Sequence, residues 1–143
     1  MKKITIRIYF VVAGLLLFAI GTAILFAPTV FHAANGVALG SNPNLLSEIR
    51  APGALLAGSG ILVLMGAFRQ ARRSQAAQLS LLVFGTFGVA RLVSIVLDGI
   101  PSASLLGATV LELSMASVGL LILLQRRSQV SRPMRVSGRG VIV

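Results

Sequence analysis

Four long apolar runs, separated by shorter polar segments, dominate the hydrophobic pattern of this chain. They cover residues 8–27, 51–68, 79–97 and 105–124. Each run has about 20 residues, which is the length that a helix needs to cross the hydrocarbon core of a bilayer. The pattern therefore predicts an all-α fold, an integral membrane four-helix bundle.

The polar segments predict where the first two spans end and begin. Pro28 closes the first run and is followed by a segment rich in Asn, Gly, Ser and Pro. Asn42 before Pro43 is typical of an N-cap followed by the first helical residue, so we expect the second helix to begin ahead of its apolar run. Pro52 lies inside that helix, where it removes one backbone amide and frees the carbonyl of Glu48.

Small residues recur at helical spacing within the spans. Such residues let helix backbones approach where lipid provides no hydrophobic drive for association. We expect ordinary packing inside the bundle, rather than a dedicated dimer face, from Gly53 with Ala57, Ala54 with Gly58, Gly85 with Gly88, and Ala108, Ala116 and Gly119.

The composition agrees with a chain whose solvent is lipid. Of its 143 residues, 56% are hydrophobic, and the mean hydropathy is +0.94, values too apolar for a soluble domain of this size. We expect one membrane domain over residues 1–127 and a basic, disordered cytoplasmic tail over residues 128–143.

Cysteine is absent, which excludes disulfides, thiolate nucleophiles and cysteine-ligated metals.

The basic residues lie in three clusters, and their distribution predicts the topology. Eleven of the 13 Lys and Arg residues precede the first run, separate the second from the third, or follow the fourth. Segments 28–47 and 98–104 contain no Lys or Arg. By the positive-inside rule, both termini and the middle loop are cytoplasmic.

The net charge of +10 does not indicate nucleic-acid binding, because these clusters lack a folded surface with interleaved aromatic residues.

Two ionisable residues lie inside apolar runs, where a charge costs at least about 2.5 kcal/mol on insertion scales. They are Arg91 in the third run and Glu112 in the fourth. At about 1.5 Å per residue, both lie about 10 to 12 Å below the outer ends of neighbouring helices, so we expect them to pair. Glu48, Arg50 and Asp98 fall in the same outer half. We predict that all five residues line one outward-facing cavity that binds a ligand.

A purely structural role is the alternative for these charges. Arg91 can extend toward Asp98 at the membrane surface, and an arginine–carboxylate pair can serve only to fix the helix register. His32 is expected to be an ordinary residue of the outer loop, although a histidine can titrate or bind metal.

Three charged motifs resemble those of a known family. They are Ser47-Glu48-Ile49-Arg50-Ala51-Pro52-Gly53, then Ala90-Arg91-Leu92 with Leu97-Asp98-Gly99-Ile100-Pro101-Ser102, and finally Leu111-Glu112-Leu113. Over roughly residues 8–124 the chain is similar to a family of small four-helix bacterial membrane proteins catalogued as a domain of unknown function. Its layout is more loosely similar to DoxX-like membrane proteins. The resemblance implies a multi-pass protein of the bacterial cytoplasmic (inner) membrane, and it implies no activity.

Binding fits these features better than catalysis. We expect the outer acid and arginine cavity to bind a lipid-like or small polar ligand or a membrane partner. The expected partners are membrane lipids, with a homo-oligomer or another membrane protein as further candidates. The spans contain neither Cys nor His, and metal-ligand spacing and a phosphate-binding glycine loop are missing. We therefore expect no catalytic residues, no metal and no cofactor.

Two other functions remain as alternatives to binding. One is a proton-coupled carrier. The other is a membrane-embedded enzyme that acts on a lipid or quinone, with the outer carboxylates as general acid and base.

Overall fold

The computed structural model describes the backbone of residues 2–130 and the side chains of residues 2–125. The helices of this part are α1 (Lys3–Phe26), α2 (Pro28–Ala33), α3 (Pro43–Phe68), α4 (Arg73–Asp98) and α5 (Ala103–Val130), with a 3-10 turn at Gln70–Arg72. All except α2 are long and apolar enough to cross a membrane. The predicted all-α architecture with four spans is confirmed.

The second span begins as its capping residues predict. The Asn42 side-chain oxygen accepts hydrogen bonds from the backbone amides of Asn44 at 2.9 Å and Leu45 at 3.4 Å. These bonds satisfy amides that the first turn of a helix leaves unpaired. Helix α3 therefore starts at Pro43, and it continues through Pro52 to Phe68.

The short helix α2 occupies a segment that the sequence pattern left irregular. Pro28 stands in its first turn, where the missing amide costs no hydrogen bond. The His32 Nδ1 atom hydrogen-bonds the Pro28 carbonyl oxygen at 2.8 Å, which is a local role for this histidine. A helix of six residues is too short to show a hydrophobic period, so the pattern did not reveal it.

The C-terminal helix is longer than its apolar run. Helix α5 continues to Val130 and so enters the segment predicted to be a disordered tail. The rest of that predicted tail, residues 131–143, lies outside the described residues.

Glycines bring α1 and α3 into backbone contact. A Cβ atom added to Gly60 would lie 2.5 Å from the Phe18 nitrogen and 2.7 Å from the Gly14 carbonyl oxygen. At a second contact, two turns away on both helices, a Cβ atom added to Gly21 would lie 2.6 Å from the Gly53 carbonyl oxygen. Close contact of this kind is how spans associate without a hydrophobic drive. The α1–α3 pair therefore requires glycine at both crossings.

The predictions for small residues on α3 have different outcomes. Gly53 and Ala57 lie at the crossing with α1, as expected: a Cβ atom on Gly21 would meet the Ala57 amide nitrogen. The prediction for Ala54 and Gly58 is wrong, because both are exposed and a Cβ atom on Gly58 would meet nothing within 4 Å. Ala54 instead lines an open groove beside Leu25 of α1.

A buried hydroxyl links three of the long helices. The Tyr9 hydroxyl lies 2.6 Å from the Ser80 Oγ and donates to the Met115 carbonyl oxygen at 2.8 Å. Tyr9 and Ser80 are buried, and a Cβ atom on Gly119 would lie 2.8 Å from the Tyr9 oxygen. Small residues on α4 and α5 thus make room for this junction of α1, α4 and α5.

The four spans form two packed pairs, α1 with α3 and α4 with α5, joined along α3 and α4. The basic clusters of α1, α3 and α4 lie at one end, where Arg73 Nε donates to the Gly66 carbonyl oxygen at 3.3 Å. We call the opposite end, where residues 27–42 and 99–102 connect the helices, the acidic end, because all three acidic residues lie nearer to it.

Candidate functional site

A cavity of about 130 Å³ lies between the two helix pairs, in the half of the bundle nearer the acidic end. Its apolar lining comes from Leu17, Ile20 and Ile24 of α1, Phe31 of α2, Leu56 of α3, Val83, Phe84 and Phe87 of α4, and Leu105, Ala108 and Leu111 of α5. An engineered apolar cavity of about 150 Å³ binds benzene. The volume here therefore suits one six-membered ring or the end of an acyl chain.

The cavity wall carries an ion pair. Arg91 Nε donates to both carboxylate oxygens of Glu112, at 2.9 Å to Oε2 and 3.1 Å to Oε1. The two side chains are 31% and 13% exposed, and both line the cavity. The pairing predicted from their matching depths is confirmed. The alternative in which Arg91 turns toward Asp98 does not describe this structure.

Only one nitrogen of the Arg91 guanidinium takes part in that pair. Within the described residues, neither Nη atom makes a hydrogen bond, whereas Nε makes two. Every buried side-chain nitrogen and oxygen of this part has a hydrogen-bond partner, so the Nη atoms are accessible. Arginine has five N–H donors, and the four on the Nη atoms are available to another molecule.

Glu48 and Arg50 lie apart from this ion pair. Both side chains are exposed on α3, and neither lines the cavity. Arg50 lines a separate, open groove of about 490 Å³ together with Ser41 and Ser47. Their position along α3 matches the expected outer half of the bundle, but their side chains do not reach the cavity of the ion pair.

Asp98 also lies outside the cavity. Its carboxylate accepts a hydrogen bond from the Ser94 hydroxyl at 2.9 Å, and both side chains are exposed on the last turns of α4. The five predicted site residues therefore do not share one cavity. The structure brings together Arg91 and Glu112 and separates Glu48, Arg50 and Asp98 from them.

The sequence analysis missed two lining residues outside the four spans, together with the apolar lining that the spans provide. Phe31 and Asn35 reach the cavity from α2 and the turn that follows it, and Asn35 Nδ2 donates to the Phe31 carbonyl oxygen at 3.0 Å. No sequence signal placed them, because α2 itself was not predicted. Ala108, which was expected to pack inside the bundle, lines the cavity.

Metal ligands do not gather at this site. Within the described residues, no group of three or more His, Cys, Asp or Glu side chains could hold a metal ion. The chemistry that the cavity provides is hydrogen bonding from a guanidinium and apolar contact from aromatic and aliphatic side chains.

The comparison with protein families agrees with the motif resemblance. A family model described as "Domain of unknown function (DUF4345)" matches residues 5–123, a range that includes both members of the ion pair. The comparisons with curated proteins and with solved structures each found no match. The looser similarity to DoxX-like proteins stays a prediction from the four-span layout.

Proposed function

The chain belongs to the DUF4345 family, and we propose that it is a bacterial inner-membrane protein that binds a ligand in the cavity of Arg91 and Glu112. The ligand is lipid-like or a small polar molecule, or the site docks a membrane partner. The observation that carries this proposal is that Arg91 and Glu112 line a cavity while the Nη donors of Arg91 make no hydrogen bond within the described residues. An ion pair that served only to fix helix register would need no adjoining space.

The orientation in the membrane belongs to the same proposal. Helix α1 starts, α3 ends and α4 starts at the end that carries the Lys and Arg clusters, and such clusters face the cytoplasm. The acidic end then faces outward. A ligand would reach the cavity from the outer side or from the outer leaflet.

Binding without chemical change is favoured over the two alternatives. The polar lining of the cavity consists of Arg91, Glu112 and Asn35, and a single carboxylate already bound to an arginine makes a poor acid and base pair. The carrier and the enzyme stay predictions, as do a homo-oligomer and a membrane-protein partner.

Filling the cavity is expected to remove the ligand. Ala108→Leu adds a bulky side chain to the lining, whereas Gly107→Leu adds the same side chain at the neighbouring position, where a Cβ atom meets nothing within 4 Å. Native mass spectrometry of gently extracted protein should show a bound small molecule in the wild type and in Gly107→Leu. The adduct should be lost in Ala108→Leu.

Two results would contradict the proposed binding role. One is a wild-type spectrum without any adduct, and the other is the same adduct on Ala108→Leu as on the wild type. Both variants must keep the helix content and thermal transition of the wild type, which circular dichroism in the same detergent checks.

A further inference from the structure

We infer that the ligand of this cavity is an uncharged amphiphile that presents a carbonyl oxygen to the Nη atoms of Arg91 and an apolar ring or chain end to the opposite wall. This inference rests on the proposed binding function and specifies the chemical class of the ligand. It follows from the charge balance, the hydrogen-bonding capacity and the size of the site.

The charge balance of the site favours an uncharged ligand. Glu112 already neutralises Arg91 through two hydrogen bonds to Nε. An anion at the Nη atoms would lie close to the Glu112 carboxylate, and a cation would lie close to the guanidinium. Like charges repel strongly in an apolar environment, and an unpaired ion there also loses its hydration.

The hydrogen-bonding capacity of the site favours an acceptor oxygen. The Nη atoms provide donors, and arginine accepts no hydrogen bonds. The other polar side chain on the wall, Asn35, uses one of its two Nδ2 hydrogens on the Phe31 carbonyl oxygen, so the remaining free hydrogens of the wall are also donors to an acceptor. A carbonyl oxygen satisfies donors without adding a donor of its own that would need a partner.

The size of the cavity limits how much of the ligand enters. Its volume is about 130 Å³, and Phe31, Phe84 and Phe87 contribute to its wall. Aromatic side chains make favourable edge and face contacts with a ring. A single carbonyl-bearing ring or a short carbonyl-bearing chain end fits this space, and the rest of a larger amphiphile stays outside it.

Four probes of one shape test this inference. Acetophenone carries a carbonyl, ethylbenzene lacks the oxygen, benzoate carries a negative charge, and 1-phenylethylamine carries a positive charge at neutral pH. Equilibrium dialysis against nanodiscs with and without the protein separates binding from partition into lipid. Acetophenone is expected to bind about tenfold more tightly than each of the other three, the effect of a hydrogen bond from a charged donor.

Three variants locate the binding. Arg91→Lys keeps a cation for Glu112 but lacks the planar set of Nη donors, so it should lower acetophenone affinity about tenfold and leave ethylbenzene affinity unchanged. Ala108→Leu should abolish binding of both probes. Gly107→Leu, whose added side chain meets open space, should bind both as the wild type does.

The possible failures are distinguishable. Tighter binding of benzoate or the amine, or equal binding of ethylbenzene and acetophenone, would overturn the inferred ligand class while the cavity remained a binding site. Acetophenone affinity that is unchanged in Arg91→Lys would also overturn it. Binding that survives Ala108→Leu, or the absence of protein-dependent binding for every probe, would overturn the proposed function together with the inference.

Discussion

Arg91→Leu is expected to destabilise the folded bundle by about 3 kcal/mol, because it leaves the Glu112 carboxylate in an apolar cavity without its partner. The wild-type carboxylate receives both of its hydrogen bonds from Arg91 Nε, at 2.9 and 3.1 Å, and its side chain is 13% exposed. The double change Arg91→Leu with Glu112→Leu removes both charges. It should be more stable than Arg91→Leu alone.

Unfolding of all four proteins of this cycle in one detergent measures the coupling between the two residues. Residues in direct contact couple by about 0.5 to 3 kcal/mol in such cycles, and we expect a value in the upper half of that range. Ser94→Ala is the control: it removes the exposed hydrogen bond to Asp98 at 2.9 Å, and we expect a change within about 0.5 kcal/mol. Additive losses from Arg91 and Glu112 would show that the pair does not stabilise the bundle.

Gly60→Ala is expected to destabilise the bundle by about 2 kcal/mol, even though alanine is the better helix former by about 1 kcal/mol. The added Cβ atom would lie 2.5 Å from the Phe18 nitrogen and 2.7 Å from the Gly14 carbonyl oxygen. These atoms belong to the backbone of α1, so relief requires the two helices to separate. The loss should appear as a lower unfolding midpoint in the same detergent assay.

Gly58→Ala is the matched control for this substitution. It lies two residues away on the same helix, but its added Cβ atom meets nothing within 4 Å. The change should be neutral or stabilise the protein by up to about 1 kcal/mol through helix propensity. Equal effects of Gly58→Ala and Gly60→Ala would contradict the tight glycine crossing of α1 and α3.

The long helices were predictable because the backbone of an apolar run of about 20 residues must satisfy its own hydrogen bonds in lipid, and a helix does so. The start of α3 was predictable as well, because Asn42 and Pro43 act locally. The register between α1 and α3 was not predictable, because glycines occur at several positions on both helices. Only the packing of the helices decides which of these glycines lie in the contact. Gly58 and Gly60 are nearly adjacent on α3, yet only Gly60 contacts α1.

The ion pair was predictable because the regular geometry of a helix fixes the depth of each residue. The rest of the site was not predictable. Depth follows from the rise per residue, so Arg91 and Glu112 could be matched across neighbouring helices. The direction of a side chain around the helix axis depends on how the helices pack. The depth of a residue in the bundle does not determine that direction. Glu48, Arg50 and Asp98 therefore share the half of the bundle nearer the acidic end without sharing the cavity.

Thiol labelling at two adjacent positions tests most directly the central claim, that the cavity is reached from the outer side. The chain has no cysteine, so each variant carries a single thiol. Leu56 lines the cavity and is 6% exposed, whereas Leu55 is 72% exposed on the surface of the bundle. A small, water-soluble thiol reagent without a charge would be added outside intact cells that express Leu56→Cys or Leu55→Cys.

The reagent should modify Leu56→Cys and spare Leu55→Cys, because only a thiol in contact with water forms the reactive thiolate. The same reagent added after detergent extraction and unfolding must label both variants, which shows that each thiol is present and competent. Labelling of Leu56→Cys from outside is the result that we predict. Inertness of Leu56→Cys equal to that of Leu55→Cys, in protein that keeps the wild-type unfolding midpoint, would contradict an outward-facing ligand cavity.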